Sequence, residues 1–465
     1  MDFRTTTVAA LAAEVTAGRI GARELVTAAL ERIAALNPTV NAFVAVDGEA
    51  ALAAADAVDA RVAAGEDVGP LAGIPIGVKD LEDAAGFTTS LGSAVWAGDP
   101  PATADSVLVE RLKAAGCIVV GKTNTPEMGF KGDTTNPAFG GTHNPWNLER
   151  SAGGSSGGSA AALAAGMVPL CTGSDGGGSI RIPSSVCGLS GLKPSLGRVP
   201  SGGAVPVNWT HLSTRGPMAR TIRDVALALD VALGPEPTDL RSLPMPEASW
   251  SRSLEEGGVP RTIGWSPTLG YARVDAEVRA ICEAALDRLA VRGAEIVVID
   301  SVFEDPAMSW VRIAMTSSLR KVAHLRGTPG WDLLDPEHVF MMDAFGAPTT
   351  ALELLAAMDD CHHLNHRLVQ LFHQVPLLCT PTVAGQTGPV GGQGSIDGEA
   401  DAAWVSFTYP FNMTRSPAGT VCAGLTADGM PVGLQVVGPQ HGDVAVLRAL
   451  AALEDAIALE ALAPI

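Results

Sequence analysis

Cationic side chains are scarce in this chain: 31 Lys and Arg stand against 50 Asp and Glu, a formal charge of −19 over 465 residues. A surface of that sign repels phosphate backbones and anionic headgroups, so neither a nucleic-acid nor a membrane partner is expected. Aromatic residues are also few, 5% of the chain with only two tyrosines, Tyr271 and Tyr409. No apolar run is long enough to cross a bilayer; the longest, 160–171, contains a glycine and a proline. The first twenty residues hold Asp2 and Glu14 and lack the basic start and pure apolar run of a secretion signal. Seven cysteines are scattered without a C-x-x-C pair, the pattern of reduced, mostly buried thiols, and the expected compartment is cytoplasmic. What the chain does have is 47% apolar residues and an unexceptional 52 glycines and 32 prolines, a globular composition able to bury a sizeable core.

Apolar periodicity predicts helices over 7–17, 22–36 and 48–64, the second stopping at Asn37-Pro38. Ile74, Ile76 and Val78 alternate, which predicts a strand over 73–79 ending at Lys79. Helix 104–115 then leads to strand 117–120. Further on come helices 159–165 and 222–233, strand 262–265, helix 276–292, strands 295–299, 375–379 and 432–437, and a closing helix 443–460. Residues 303–374 are mainly helical and show no repeat. This alternation argues for an α/β sandwich, and no linker divides the chain, so 1–465 reads as one domain. Residues 130–158 are rich in Gly, Asn, Thr, Pro and Ser, too long for a plain turn, and loops of that kind are usually functional.

Two glycine clusters could carry chemistry: Gly153-Gly-Ser-Ser-Gly-Gly158 and Gly173-Ser-Asp-Gly-Gly-Gly-Ser-Ile-Arg-Ile-Pro183. Three glycines before a serine allow successive backbone N–H groups to converge on one point, the geometry that stabilises an oxyanion. Ser179, at the edge of that run, is a candidate nucleophile if some group takes its proton. No motif brings a histidine to it. Lys79, at the end of an apolar strand, can act instead if burial keeps it neutral, and Ser-Lys systems are an established variant of the triad logic.

The stretch from Gly153 to Pro183 resembles the defining motif of the amidase signature family, a G-G-S-S-G-G block followed by D-x-G-G-S-I-R-x-P, with its two key serines, Ser155 and Ser179, 24 residues apart. Three further blocks match in order: G-I-P-I-G-V-K-D ending at Asp80, G-K-T-N-T-P-E ending at Glu127, and the tail PFNMTRSPAG followed by DGMPVGLQVVG. The likeness covers most of the chain apart from 303–374. It implies an α/β/α sandwich with a large mixed β-sheet core flanked by helices. It also implies Ser179 as acylated nucleophile, Ser155 as a bridging serine following a cis peptide bond, and Lys79 as the base. The N–H groups of Gly176, Gly177, Gly178 and Ser179 match the family's oxyanion hole, with Gly176 where Thr or Ile is usual, and Asp175 and Arg181 match residues that brace the loop. The implied reaction is hydrolysis of a small amide through a serine acyl-enzyme without metal or organic cofactor, with carbamate (urethanase) or ester cleavage as natural side activities.

Three rival readings have weaker support. The A subunit of a tRNA-dependent amidotransferase belongs to the same family but carries a tyrosine-rich block that two tyrosines cannot supply. Gly153-Gly-Ser155-Ser-Gly157 satisfies the G-x-S-x-G nucleophile elbow, with His441 and Asp443 as partners, but 145–150 makes a poor preceding strand. His362 and His366 stand at i and i+4 beside Asp359, Asp360, His363 and His373, a metal-like spacing more often found on a solvated helix face. The substrate pocket is expected to draw on Phe130, Phe139, Trp146 and Trp209 and on part of 303–374, which suggests an apolar or aryl group. A monomer or homodimer acting on a small molecule is expected.

Overall fold

The computed structural model describes residues 1–465 except 205, 207, 208 and 210. Its centre is an eleven-stranded mixed sheet. In chain order the strands are β1 (Phe43–Val46), β2 (Pro75–Lys79), β3 (Ile118–Thr123), β4 (Leu170–Asp175), β5 (Ser190–Lys193), β6 (Thr214–Ala219), β7 (Thr262–Trp265), β8 (Glu295–Val298), β9 (Leu378–Pro381), β10 (Ala418–Leu425) and β11 (Pro431–Val437). They lie in the order β1-β3-β2-β4-β6-β5-β10-β11-β9-β7-β8. Strand β2 runs parallel to both of its neighbours, β3 and β4, whereas the segment from β4 to β9 is antiparallel throughout.

Helices cover both faces. A Cβ on Gly419 would meet Leu450 of the helix Asp443–Ile457, and one on Gly433 would meet Ser185 of the helix Arg181–Val186. Gly433 pairs with Cys422 across β10 and β11, three residues from Gly419, so these two helices lie on opposite faces. That double cover explains a difference from the sequence pattern in β2. The alternation of Ile74, Ile76 and Val78 suggested one buried face, yet all five strand residues are buried, as in parallel strands covered on both sides. On the second face Gly77 leaves room for Thr123, Cys171 and Phe43, which a Cβ would meet at 2.8, 3.0 and 3.2 Å.

Helix starts follow their caps: Thr7, Asp47, Ser106 and Thr221 each accept a backbone N–H from the first turn, and Thr350 forms a capping box with Glu353. The second helix does not stop at Asn37-Pro38. It runs Ala22–Val40, because the left-handed Asn41 closes the last turn by donating its N–H to the Asn37 carbonyl. The long polar loop folds into two small hairpins, and the strand Asn147–Ser151, which overlaps the stretch 145–150 read as a poor strand, pairs with His143–Asn144. The stretch 303–374 is helical as read, chiefly Ala307–Val322 and Ala351–Phe372. Among the described residues no single helix is long and apolar enough to cross a membrane.

Candidate active site

Lys79 ends β2 fully buried, and its backbone N–H is fixed by the Thr172 hydroxyl of the adjacent β4 at 2.9 Å. Its ammonium donates to Ser155 Oγ and Ser156 Oγ, both at 2.8 Å, and to Ser174 Oγ at 3.1 Å. Ser155 and Ser156 sit just ahead of the helix Gly157–Ala164, and the Gly154–Ser155 peptide bond is cis. Burial brings the Lys79 ammonium down from its ordinary 10.5 to about 7, opposed by the carboxylates of Asp175 and Glu82. A lysine so placed is divided between its charged and neutral forms near neutral pH.

Ser179 follows β4 by four residues and shares a cavity of about 610 Å³ with Ser155, Ser174 and Gly176. No side-chain hydrogen bond joins Ser155 to Ser179 among the described residues, so the Ser179 hydroxyl is left to the cavity. The loop that carries it is held from behind. Asp175 accepts from Gly178 N at 2.8 Å, Ile180 N at 3.2 Å, Asn412 Nδ2 at 2.8 Å and two Arg181 nitrogens at 2.9 Å. Arg181, also fully buried, continues to the Thr408 carbonyl, Gln435 Oε1 and Asn412 Oδ1. Burial alone would raise the Asp175 carboxyl, but the Arg181 guanidinium holds it well below the usual carboxylate range, so it stays ionised.

The four donors read from the sequence do not all remain open. Gly178 N–H is committed to Asp175; among the described residues the N–H groups of Gly176, Gly177 and Ser179 have no acceptor. Indole rings press on this loop and account for its lack of side chains. Trp310 Nε1 donates to the Gly176 carbonyl at 2.9 Å, and a Cβ on Gly177 would run into the Trp310 ring. Gly178 has φ +134°, and its Cβ would run into Thr408.

Of the four aromatic residues expected in the pocket, Trp209 lines the cavity, and its indole donates to Ser318 Oγ at 2.9 Å. The other three lie outside it. Phe130 is buried in a stack on His338 with ring centroids 4.3 Å apart, and Trp146 donates to the Cys187 carbonyl against Gly188. Phe139 sits in a hairpin turn whose carbonyl is bound by Asn41. The cavity wall instead takes Trp96, Leu91 and Met128 together with Arg215, Glu82 and Lys321. Sequence reasoning passed over Ser156, Ser174 and Trp310. The alternation of Thr172 and Ser174 on one strand face was a usable sign that hydroxyls line Lys79; nothing local marked Trp310.

The alternative clusters are not assembled into sites. His441 N–H donates to Ser195 Oγ, and the Asp443 carboxylate is occupied by Ser195, with the Arg198 guanidinium 3.6 Å away; neither residue lines the cavity holding Ser155. His362, His363 and His366 are exposed on the helix Ala351–Phe372, and no group of three metal-ligating side chains forms among the described residues.

The family model described as Amidase matches residues 24–447. The chain is 38% identical to an acylamidase of Rhodococcus erythropolis over 96% of its own length and 94% of that protein's. It is 37% identical to the A subunit of a glutamyl-tRNA(Gln) amidotransferase from Salinispora arenicola, over 98% of both chains. Among solved structures it superposes on a bacterial aryl acylamidase of the amidase signature family with TM-score 0.90 and 29% identity, over 97% of this chain and 96% of that one. A 6-aminohexanoate cyclic dimer hydrolase in complex with substrate gives 0.88 and 30%, over 99% and 98%. The chain belongs to the amidase signature family and is a hydrolase acting on amide C–N bonds.

Proposed function

We propose that the protein is a stand-alone amidase of one domain that cleaves small amides with an apolar or aryl group through a Ser179 acyl-enzyme. The observation that carries this reading is the buried Lys79 ammonium, brought down to about 7 and 2.8 Å from Ser155 Oγ. Ser179 Oγ attacks the amide carbonyl carbon while its proton passes to Ser155, whose own proton goes to neutral Lys79. The oxyanion that forms is met by the open N–H groups of Gly176, Gly177 and Ser179. Lys79 then returns the proton through Ser155 to the leaving nitrogen, the C–N bond breaks, and water hydrolyses the ester left on Ser179. Carbamates and esters present the same carbonyl to the same groups. Trp209, Trp96, Leu91 and Met128 supply the apolar wall. Seven unpaired cysteines support a reducing, cytoplasmic setting, where we expect a monomer or homodimer.

Glutamine hydrolysis for a partner protein is the second reading, favoured by the 37% identity to an amidotransferase A subunit. The two are separated by assaying the purified chain alone on anilides, alkyl amides, carbamates, esters and free glutamine. Anilide or amide turnover that vanishes in Ser179→Ala and survives weakly in Ser155→Ala supports the first. Turnover of glutamine only, and only with partner proteins, supports the second.

A further inference from the structure

The helix Ala307–Val322 lies in the part of the chain with no family-like motif, yet one of its faces is directed at the catalytic loop. Trp310, Ser317 and Lys321 are spaced i, i+7 and i+11, within about 40° of one another around a helix of 3.6 residues per turn. Trp310 bonds the Gly176 carbonyl, Ser317 Oγ accepts the Trp209 backbone N–H at 2.9 Å, and Lys321 lines the cavity. The helix thus links the loop bearing Ser179 to a second part of the same cavity's lining, with Trp310 and Lys321 roughly 16 Å apart along its axis at 1.5 Å per residue.

Along that part of the lining the charges are unevenly matched. Arg215 is neutralised by Glu82, with Nε to Oε1 at 2.5 Å, and Asp105 by Lys113 at 2.6 Å. Lys321 has no carboxylate within ion-pair distance among the described residues; its ammonium instead sits 5.9 Å from the centroid of the Trp96 ring. Arg320 and Arg215 add positive potential there, and Asp83 subtracts from it. A partly buried ammonium held over an indole without a counter-ion carries a desolvation cost that an anionic ligand would remove.

We propose that Lys321, seated over Trp96, is the subsite for a carboxylate at the end of the substrate remote from the scissile amide. The inference rests on the Ser179 cavity being the amidase site. It narrows the substrate class to amides bearing a carboxylate remote from the scissile bond, with an apolar spacer against the wall between.

The test compares kcat/KM on two matched pairs of substrates. One pair is anilides of a dicarboxylic acid and of the monocarboxylic acid of equal length; the other is N-acyl aminobenzoates and the corresponding acyl anilides. The wild-type enzyme is expected to favour the carboxylated member of at least one pair by about tenfold, the scale of one charge-assisted hydrogen bond. Lys321→Met should abolish that ratio, chiefly through KM, Lys321→Arg should retain most of it, and Asp83→Asn should increase it. The same ratio in wild type and Lys321→Met, or no preference in either pair, overturns the proposal. Turnover of neutral anilides that persists in Ser179→Ala would instead overturn the amidase-site reading, so the two failures are distinguishable.

Discussion

Trp209 occupies the space that a side chain at position 176 would need: a Cβ on Gly176 would stand 2.5 Å from Trp209 Cε3. The family that the chain resembles usually carries Thr or Ile there, and here the indole of a distant loop supplies the missing bulk from the cavity side. Gly176→Thr should therefore displace Trp209 and disturb an open N–H group, with a loss of activity on the order of 10²-fold, as small misplacements of catalytic groups cost. Trp209→Ala in the same chain should restore part of the loss. Steady-state kinetics of the two single variants and the double variant check this, and additive losses would contradict it.

The Asp175–Arg181 pair predicts a stability effect. Both side chains are fully buried, and removing one partner leaves an uncompensated charge. Asp175→Asn and Arg181→Met should each cost about 3–5 kcal/mol, read as a lowered midpoint in denaturant unfolding. Gly178 N–H would lose its charged acceptor in the first variant, so activity should fall further than stability alone explains.

How much of this site was readable beforehand depended on where its information lies. The serines, Lys79 and the glycine loop are marked by local sequence, because glycine runs and strand-end charges are conspicuous. Strands β4, β6 and β10 were not read: they hold glycines and prolines such as Gly173, Pro217 and Gly419, and β4, most of β6 and the first half of β10 are buried on both faces, so no apolar-polar alternation marks them. The pocket was the least legible part. Phe130 and Trp209 look alike in a sequence, and only tertiary packing puts one against His338 and the other against Gly176. Trp310 and Lys321 come from the divergent helices, where no motif pointed.

Burial of Lys79 has a thermodynamic counterpart. Its folded value lies below the ordinary 10.5, so the folded chain binds fewer protons than the unfolded chain between about 7 and 10.5. Stability contributed by this group therefore rises with pH across that window; the penalty for holding a buried ammonium is full below about 7 and vanishes near 10.5. The difference in unfolding midpoint between Lys79→Met and wild type should accordingly shift in favour of wild type as pH is raised through that range. A difference independent of pH would show that Lys79 is not buried in the way described.

The relay of Ser179, Ser155 and Lys79 is tested most directly by the pH dependence of labelling with a serine-directed fluorophosphonate, followed by peptide mass spectrometry. The account predicts an adduct on Ser179 that forms faster as pH rises, with a midpoint near the value of about 7 to which burial brings Lys79, and predicts that Lys79→Met abolishes the rise. An adduct on Ser155, or a Ser179 labelling rate in Lys79→Met that matches wild type at every pH, would contradict it.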